Sequence, residues 1–235
     1  MQIRLMKREF VFRISSNFLG TKSCLFLSVL VICNMSFALA SNESLFALEA
    51  VQTHLTEDQN KFHHIIGIAQ NNMNMTLDNI FVHVIISDNN DTILGNYSNQ
   101  VAVHPLGPSE ETPFDVLIYD KNHNNQIKNY TVDFTYDGIK TTKKALEIHS
   151  TSSKLDATGF YYISGRITNN MNNISTSTTV IAALYDKNSD LIGIWKAQSE
   201  PYNIPPLSTA SFTIPVTDRS QGFNIYNYTL YSNNS

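Results

Sequence analysis

Six of the seven histidines, His54, His63, His64, His83, His104 and His123, crowd into one stretch of the chain, and Met73 and Met75 lie among them. Imidazole and thioether together are ligands that suit copper, so His63, His64 and His83 are candidate metal ligands. The chemistry is incomplete as it stands. No cysteine is near to supply a thiolate, no His-x₃-His spacing occurs, and on a strand His63 and His64 point to opposite faces. A second candidate is a hard cation. Asp88-Asn89-Asn90-Asp91 and Asp186-Asn188-Asp190 offer oxygen ligands at short gaps, although a hairpin turn asks for the same residues because Asp and Asn bond nearby backbone and tolerate left-handed dihedrals. The EF-type central glycine and terminal glutamate are missing.

Covalent modification is the third possibility. Asn-x-Ser/Thr occurs at Asn42, Asn74, Asn90, Asn96, Asn129, Asn173, Asn227 and Asn233. In an exported chain these are glycan acceptors on exposed loops. Catalytic patterns are missing: the sequence has no Gly-x-Ser-x-Gly elbow, no phosphate-cradling glycine loop and no His-Glu-x-x-His. Asp58 and Glu110-Glu111 read as solvated acids on a negative surface. The expectation is a protein that is not an enzyme and needs no cofactor.

The elements that would position these residues come from a repeat. Shifted by 98 residues, the chain matches itself without a gap: Ile65-x-Gly67 falls on Ile163-x-Gly165, Asn71-Asn72-Met73-Asn74 on Asn169-Asn170-Met171-Asn172, Phe114 on Phe212, and Asn129-Tyr130-Thr131 on Asn227-Tyr228-Thr229. Such self-similarity marks a tandem duplication, and a period near one hundred suits a whole sandwich domain. The repeat also qualifies the metal reading, since His63 and His64 align with Tyr161 and Tyr162, His83 with Ile181 and His104 with Tyr202. Bulk can be what those positions require.

Each copy reads as β structure. Ile163, Gly165 and Ile167 alternate with Ser164, Arg166 and Thr168, and Val180, Ala182 and Leu184 form a second inward row matched by Val82, Val84 and Ile86. Six or seven short strands per copy, parted by turns about every ten residues, predict an all-β fold of two tandem antiparallel Ig-like sandwiches at 46–138 and 144–232. The joint is the polar stretch from Gly138 to Lys144. The aromatics Tyr97, Tyr185 and Trp195 are candidates for stacking on a sugar or partner, the plainer reading being outer-face sheet residues beside an edge, with Trp195 alone a candidate for the core.

Gly165 to Asn169 (G-R-I-T-N), Ala182 to Asp186 (A-A-L-Y-D), Leu191-Ile192-Gly193 and Pro205-Pro206-Leu207 before Phe212 resemble the FxLYD family of Ig-like modules on exported bacterial and archaeal proteins. Ala182 stands where that family's phenylalanine would be, and in the first copy the tripeptide is Ile86-Ser87-Asp88. The resemblance implies an Ig-like fold and an exported location, and it implies no catalytic residues.

Charge agrees with export. Residues 1–22 carry five basic side chains and Glu9, a net of +4, before the apolar run Cys24–Cys33 and Ala38-Leu39-Ala40. That is a secretory signal peptide over 1–40 with cleavage after Ala40, the alternative being an uncleaved anchor. Both cysteines lie in it, so no disulfide holds the remainder. With a total of −4, the remainder carries about −8, which excludes a phosphate-backbone partner. The sequence predicts a secreted or cell-surface, glycosylated, non-catalytic module for binding, adhesion or structure at the cell envelope. Its partner is an envelope protein or glycan, it contacts membrane only through the N-terminal segment, and the alternative is an extracytoplasmic copper protein using the first-copy histidines.

Overall fold

Strands follow where the two-residue alternation runs and stop where Asp, Asn and Pro interrupt it. The computed structural model describes residues 47–120, 125–139 and 146–234. The signal segment with its cysteines, the acceptor Asn42, His123 and most of the expected joint lie outside the described residues. In the first half come β1 (Leu48–Glu57), β2 (His63–Asn71), β3 (Thr76–Ser87), β4 (Ile93–Gln100), β5 (Glu111–Ile118) and β6 (Asn129–Ile139). In the second come β7 (Leu146–Leu155), β8 (Tyr161–Asn169), β9 (Thr179–Tyr185), β10 (Leu191–Gln198), β11 (Thr209–Val216), the single turn α1 (Arg219–Gly222) and β12 (Asn227–Asn233). Gly138, read from sequence as the start of the joint, is still inside β6 and pairs with Leu77.

All pairings are antiparallel and form four three-stranded sheets: β1-β2-β5 and β4-β3-β6 in the first half, β11-β8-β7 and β10-β9-β12 in the second. Ile65, Val82, Val84, Ile86, Phe114 and Val116 bury between the first two sheets, and Ile163, Val180, Ala182, Leu184, Phe212 and Ile214 between the second two. Each Ile, Val, Leu or Phe among them contributes ~1.5–3 kcal/mol when fully buried, and the described residues contain no cysteine.

Three local devices recur at the 98-residue offset. Gly67 pairs with Phe114 and Gly165 with Phe212, and a Cβ at either glycine would sit 2.3 or 2.7 Å from the phenylalanine ring; the bare backbone is the seat for that ring. Asn71 is fully buried, and its Nδ2 donates to the carbonyls of Met75, Leu106 and Gly107 while its Oδ1 accepts from Met73 N–H. Asn169 does the same with Asn173, Ile204, Pro205 and Met171. One amide thus ties a strand end, a turn and a proline loop together in each half. The third device is the Asp turn. Asp58, Asp88, Asp156 and Asp186 each accept the backbone N–H groups two and four residues on. The residue three on, Lys61, Asp91, Gly159 or Ser189, takes a left-handed φ between 59° and 89°.

A third apolar cluster joins the halves. Ile66 and Ile68 on the outward side of β2 bury against Ala183 and Leu191 on the outward side of β9 and β10, with Tyr185, Ile194 and Tyr231 packed around them. Gln52 Nε2 donates to Ser189 O (3.1 Å) and Gln59 Nε2 to Thr217 O (3.1 Å) across the same seam. Residues 42–235 consequently make one compact unit. The sheets stack in the order β4-β3-β6, β1-β2-β5, β10-β9-β12, β11-β8-β7.

Candidate functional site

The β1–β2 turn and the seam together build a concavity. His64 lies on the same side of β2 as Ile66 and Ile68, so its ring reaches the seam's edge. Its Nδ1 meets Asp115 Oδ1 on β5 at 2.8 Å, and its Nε2 lies 3.8 Å from Asp58 Oδ2. The Asp115 bond is the chief reason that the imidazole's pKa is raised; partial burial works against it, and the charges of Asp115 and Asp58 add to the rise. Burial alone would raise the Asp58 carboxyl, but the N–H groups of Phe62 and Asn60 together outweigh it and hold that pKa low. The result is an imidazole set between two carboxylates that favour its positive form.

Across the seam the cleft is closed by Gly193, Ile194, Trp195, Asp218 and Gln221, leaving about 290 Å³. Trp195 Nε1 donates to Gln221 Oε1 at 2.7 Å, and Asp218 caps α1 by accepting from Ser220 and Gln221 N–H. A Cβ on Gly193 would lie 2.6 Å from Gln221 Oε1, so glycine keeps that bond in place. Past Asp58 and Asp218 the cleft opens into a shallower groove of about 710 Å³ beside Lys61, Phe160 and Arg219, where the Arg219 guanidinium lies 5.3 Å from the Phe160 ring centre. Polar groups of both signs meet there over an apolar floor.

The other sequence candidates are dispersed. His63 has its Nδ1 buried without a hydrogen-bond partner, and His83, on the outer face of β3, bonds Thr135 Oγ1 through Nε2 (2.9 Å). His104 Nδ1 lies 3.3 Å from Asp78 Oδ1, and His149 bonds Thr168. Among the described residues, no three His, Cys, Asp or Glu side chains converge on a metal position. Asp186 spends Oδ1 on the N–H groups of Asn188 and Asp190, and Asn188 Nδ2 turns back to Asp186 Oδ2. These three residues close their own hairpin turn. Asn74, Asn90, Asn96, Asn129, Asn173 and Asn227 are all exposed. Asn96 departs from the expectation of an exposed loop, because it lies within β4 opposite Ile85, and Asn129 and Asn227 are the first residues of β6 and β12.

Of the aromatics, Tyr97 departs from its reading as an outer-face residue: it is only 7% exposed and points into the first core, while Trp195 packs on the second and Tyr185 lines the seam. Asp115 and Asp218 were not singled out by sequence. Asp115 had a signal, the lone charge among Phe114, Val116 and Ile118 of β5, and Asp218 had the helix-cap pattern Asp-Arg-Ser-Gln.

No protein-family model matches the chain, and no curated protein matches it. Among solved structures the chain is similar to the crystal structure of red sea bream transglutaminase, with 8% identity and a TM-score of 0.23 over 79% of this chain. The chain spans 31% of the length of that protein. A likeness at that TM-score says nothing about fold or activity here.

Proposed function

We infer that this is an exported, non-catalytic protein of the cell envelope, built from two tandem Ig-like sandwiches of FxLYD type and working as a binding, adhesion or structural module. The observation that carries the reading is the seam around Ile66, Ile68, Ala183 and Leu191. It turns two repeats into one body whose outer sheet faces and junction cleft hold a fixed relation, as a recognition module requires. The basic N-terminal segment with its apolar run supports export, and the exposed acceptors support glycosylation.

Fractionating cells that express the full chain with a C-terminal tag, and sequencing the protein's N-terminus, tests the reading. The expected result is envelope or medium fractions with Ser41 first; retention in the cytoplasm with residues 1–40 intact contradicts it. Titration with Cu(I) or Cu(II) separates the copper alternative, which demands a stoichiometric submicromolar site lost in His63→Ala or His83→Ala.

A further inference from the structure

The 98-residue offset carries each seam residue to an outer face of the molecule. Ala183, Leu191, Ile194 and Tyr231 on the β10-β9-β12 sheet correspond to Ile85, Ile93, Asn96 and Asp133 on β4-β3-β6. Thr179, in register on the same side of β9, corresponds to Phe81. Ile66 and Ile68 on β2 correspond to Ser164 and Arg166 on β8. The molecule therefore has two outer faces built on the same backbone as the two that meet in its middle.

The first of these faces keeps part of the seam's apolar character, at Ile85 and Ile93, and adds Phe81. Phe81, Ile85 and Ile93 are 36%, 37% and 67% exposed in adjoining strands, a grouping of the kind that marks association surfaces. Its charges are acidic: Asp133 is exposed, and β3, β4 and β6 contain no lysine or arginine. The other face has the opposite balance. Arg166 is exposed at its centre and Lys154 lies beside Tyr162, while the one carboxylate on β7, β8 and β11, Glu147, receives Asn170.

In the seam Ile68 and Tyr231 belong to one cluster. Docking the two outer faces in the same way puts their counterparts, Arg166 and Asp133, in one place. The arginine stem then covers aliphatic surface while its guanidinium meets the carboxylate.

We propose that the β4-β3-β6 face binds the β11-β8-β7 face of a second copy of this chain, repeating the internal seam between molecules, with Arg166 and Asp133 as the charge pair that sets register. The contact is heterologous, so it adds copies head to tail in an open stack. This deepens the module reading by naming the partner, and it holds whether or not the chain is exported. Asn96 sits inside the β4-β3-β6 face, so a glycan on it ends the stack.

The test is cross-linking of the full chain, made without N-glycosylation and with Cys24→Ser and Cys33→Ser, that carries Ile85→Cys and Ser164→Cys. These positions correspond to Ala183 and Ile66 of the seam and lie on opposite outer sheets of one molecule. A short bismaleimide is expected to give a ladder of dimers, trimers and longer products, and each single cysteine variant to give none. Adding Arg166→Glu is expected to reduce the ladder at least tenfold, and adding Asp133→Arg to that protein to restore it. The proposal is overturned if the double cysteine variant stays monomeric at high protein concentration. Dimers from Ile85→Cys alone overturn it as well, because they show like faces pairing. Either failure leaves the cleavage and fractionation test of the module reading unaffected.

Discussion

The outward side of β2 carries Ile66 and Ile68, and the same side of its counterpart β8 carries Ser164 and Arg166. Strand order and most of the pairing register are shared by the two halves, so the difference at this face is a choice of surface residues. An aliphatic pair turns one sheet into a joint, and a hydroxyl with a guanidinium keeps the other in water. The two halves are thus joined by the residues a strand shows to the outside, a layer that core packing leaves unspecified.

Exchanging those residues breaks the comparison most sharply. Ile68→Arg puts an unpaired charge into the seam and is expected to cost about 3 kcal/mol or more, read as the drop in urea midpoint. Arg166→Ile, on the exposed counterpart, should change the unfolding free energy by less than about 0.5 kcal/mol. Equal effects would mean that the seam does not hold the halves.

The buried amides come next. Asn71→Ala and Asn169→Ala each strand three carbonyls and one N–H, and each should destabilise by about 2–4 kcal/mol. The two halves should respond alike here, because both amides make the same four bonds. A large effect in one half only would deny the shared architecture. Gly67→Ala and Gly165→Ala sharpen the same point at about 1–3 kcal/mol by forcing the phenylalanine ring off its seat.

Much of this was legible in the residues. The offset placed the strands, the inward rows and the turns at Asp88 and Asp186, because alternation and turn chemistry are local and repeat with the sequence, whereas Asp58 read only as a solvated acid and instead closes the β1–β2 turn. The asparagine in Ile-Gly-Ile-Ala-Gln-Asn was visible as a repeated residue, but its partners Leu106 and Gly107 lie 35 and 36 residues away, so its role was not. The seam had a faint signal: Ile65-Ile66-Gly67-Ile68-Ala69 and Val180-Ile181-Ala182-Ala183-Leu184 are apolar on both faces, as in strands covered on both sides. Which face meets which is a tertiary fact that periodicity does not contain. The cleft depends wholly on that docking, and for this reason histidine counting grouped His63, His64 and His83, whereas the structure separates them and gathers His64 with Asp58 and Asp115.

The smallest expected effect concerns pH. In the folded protein the pKa of His64 is raised from its ordinary 6.5, so the native state holds the proton more tightly than the unfolded chain. Its contribution is fully present below about pH 6.5 and is lost as pH rises through the folded value. Urea midpoints taken between about pH 5 and pH 8 should fall for the wild type relative to His64→Tyr, which installs the second half's residue. Parallel profiles would remove His64 from the account.

The seam itself is tested most directly by unfolding the protein in urea with two probes at once. Trp195 is the chain's single tryptophan and lies in the second half, whereas the far-ultraviolet dichroism reports both. A welded pair predicts one transition, with fluorescence and dichroism curves superimposed at every urea concentration. Two separated transitions, with tryptophan following only one of them, would contradict it.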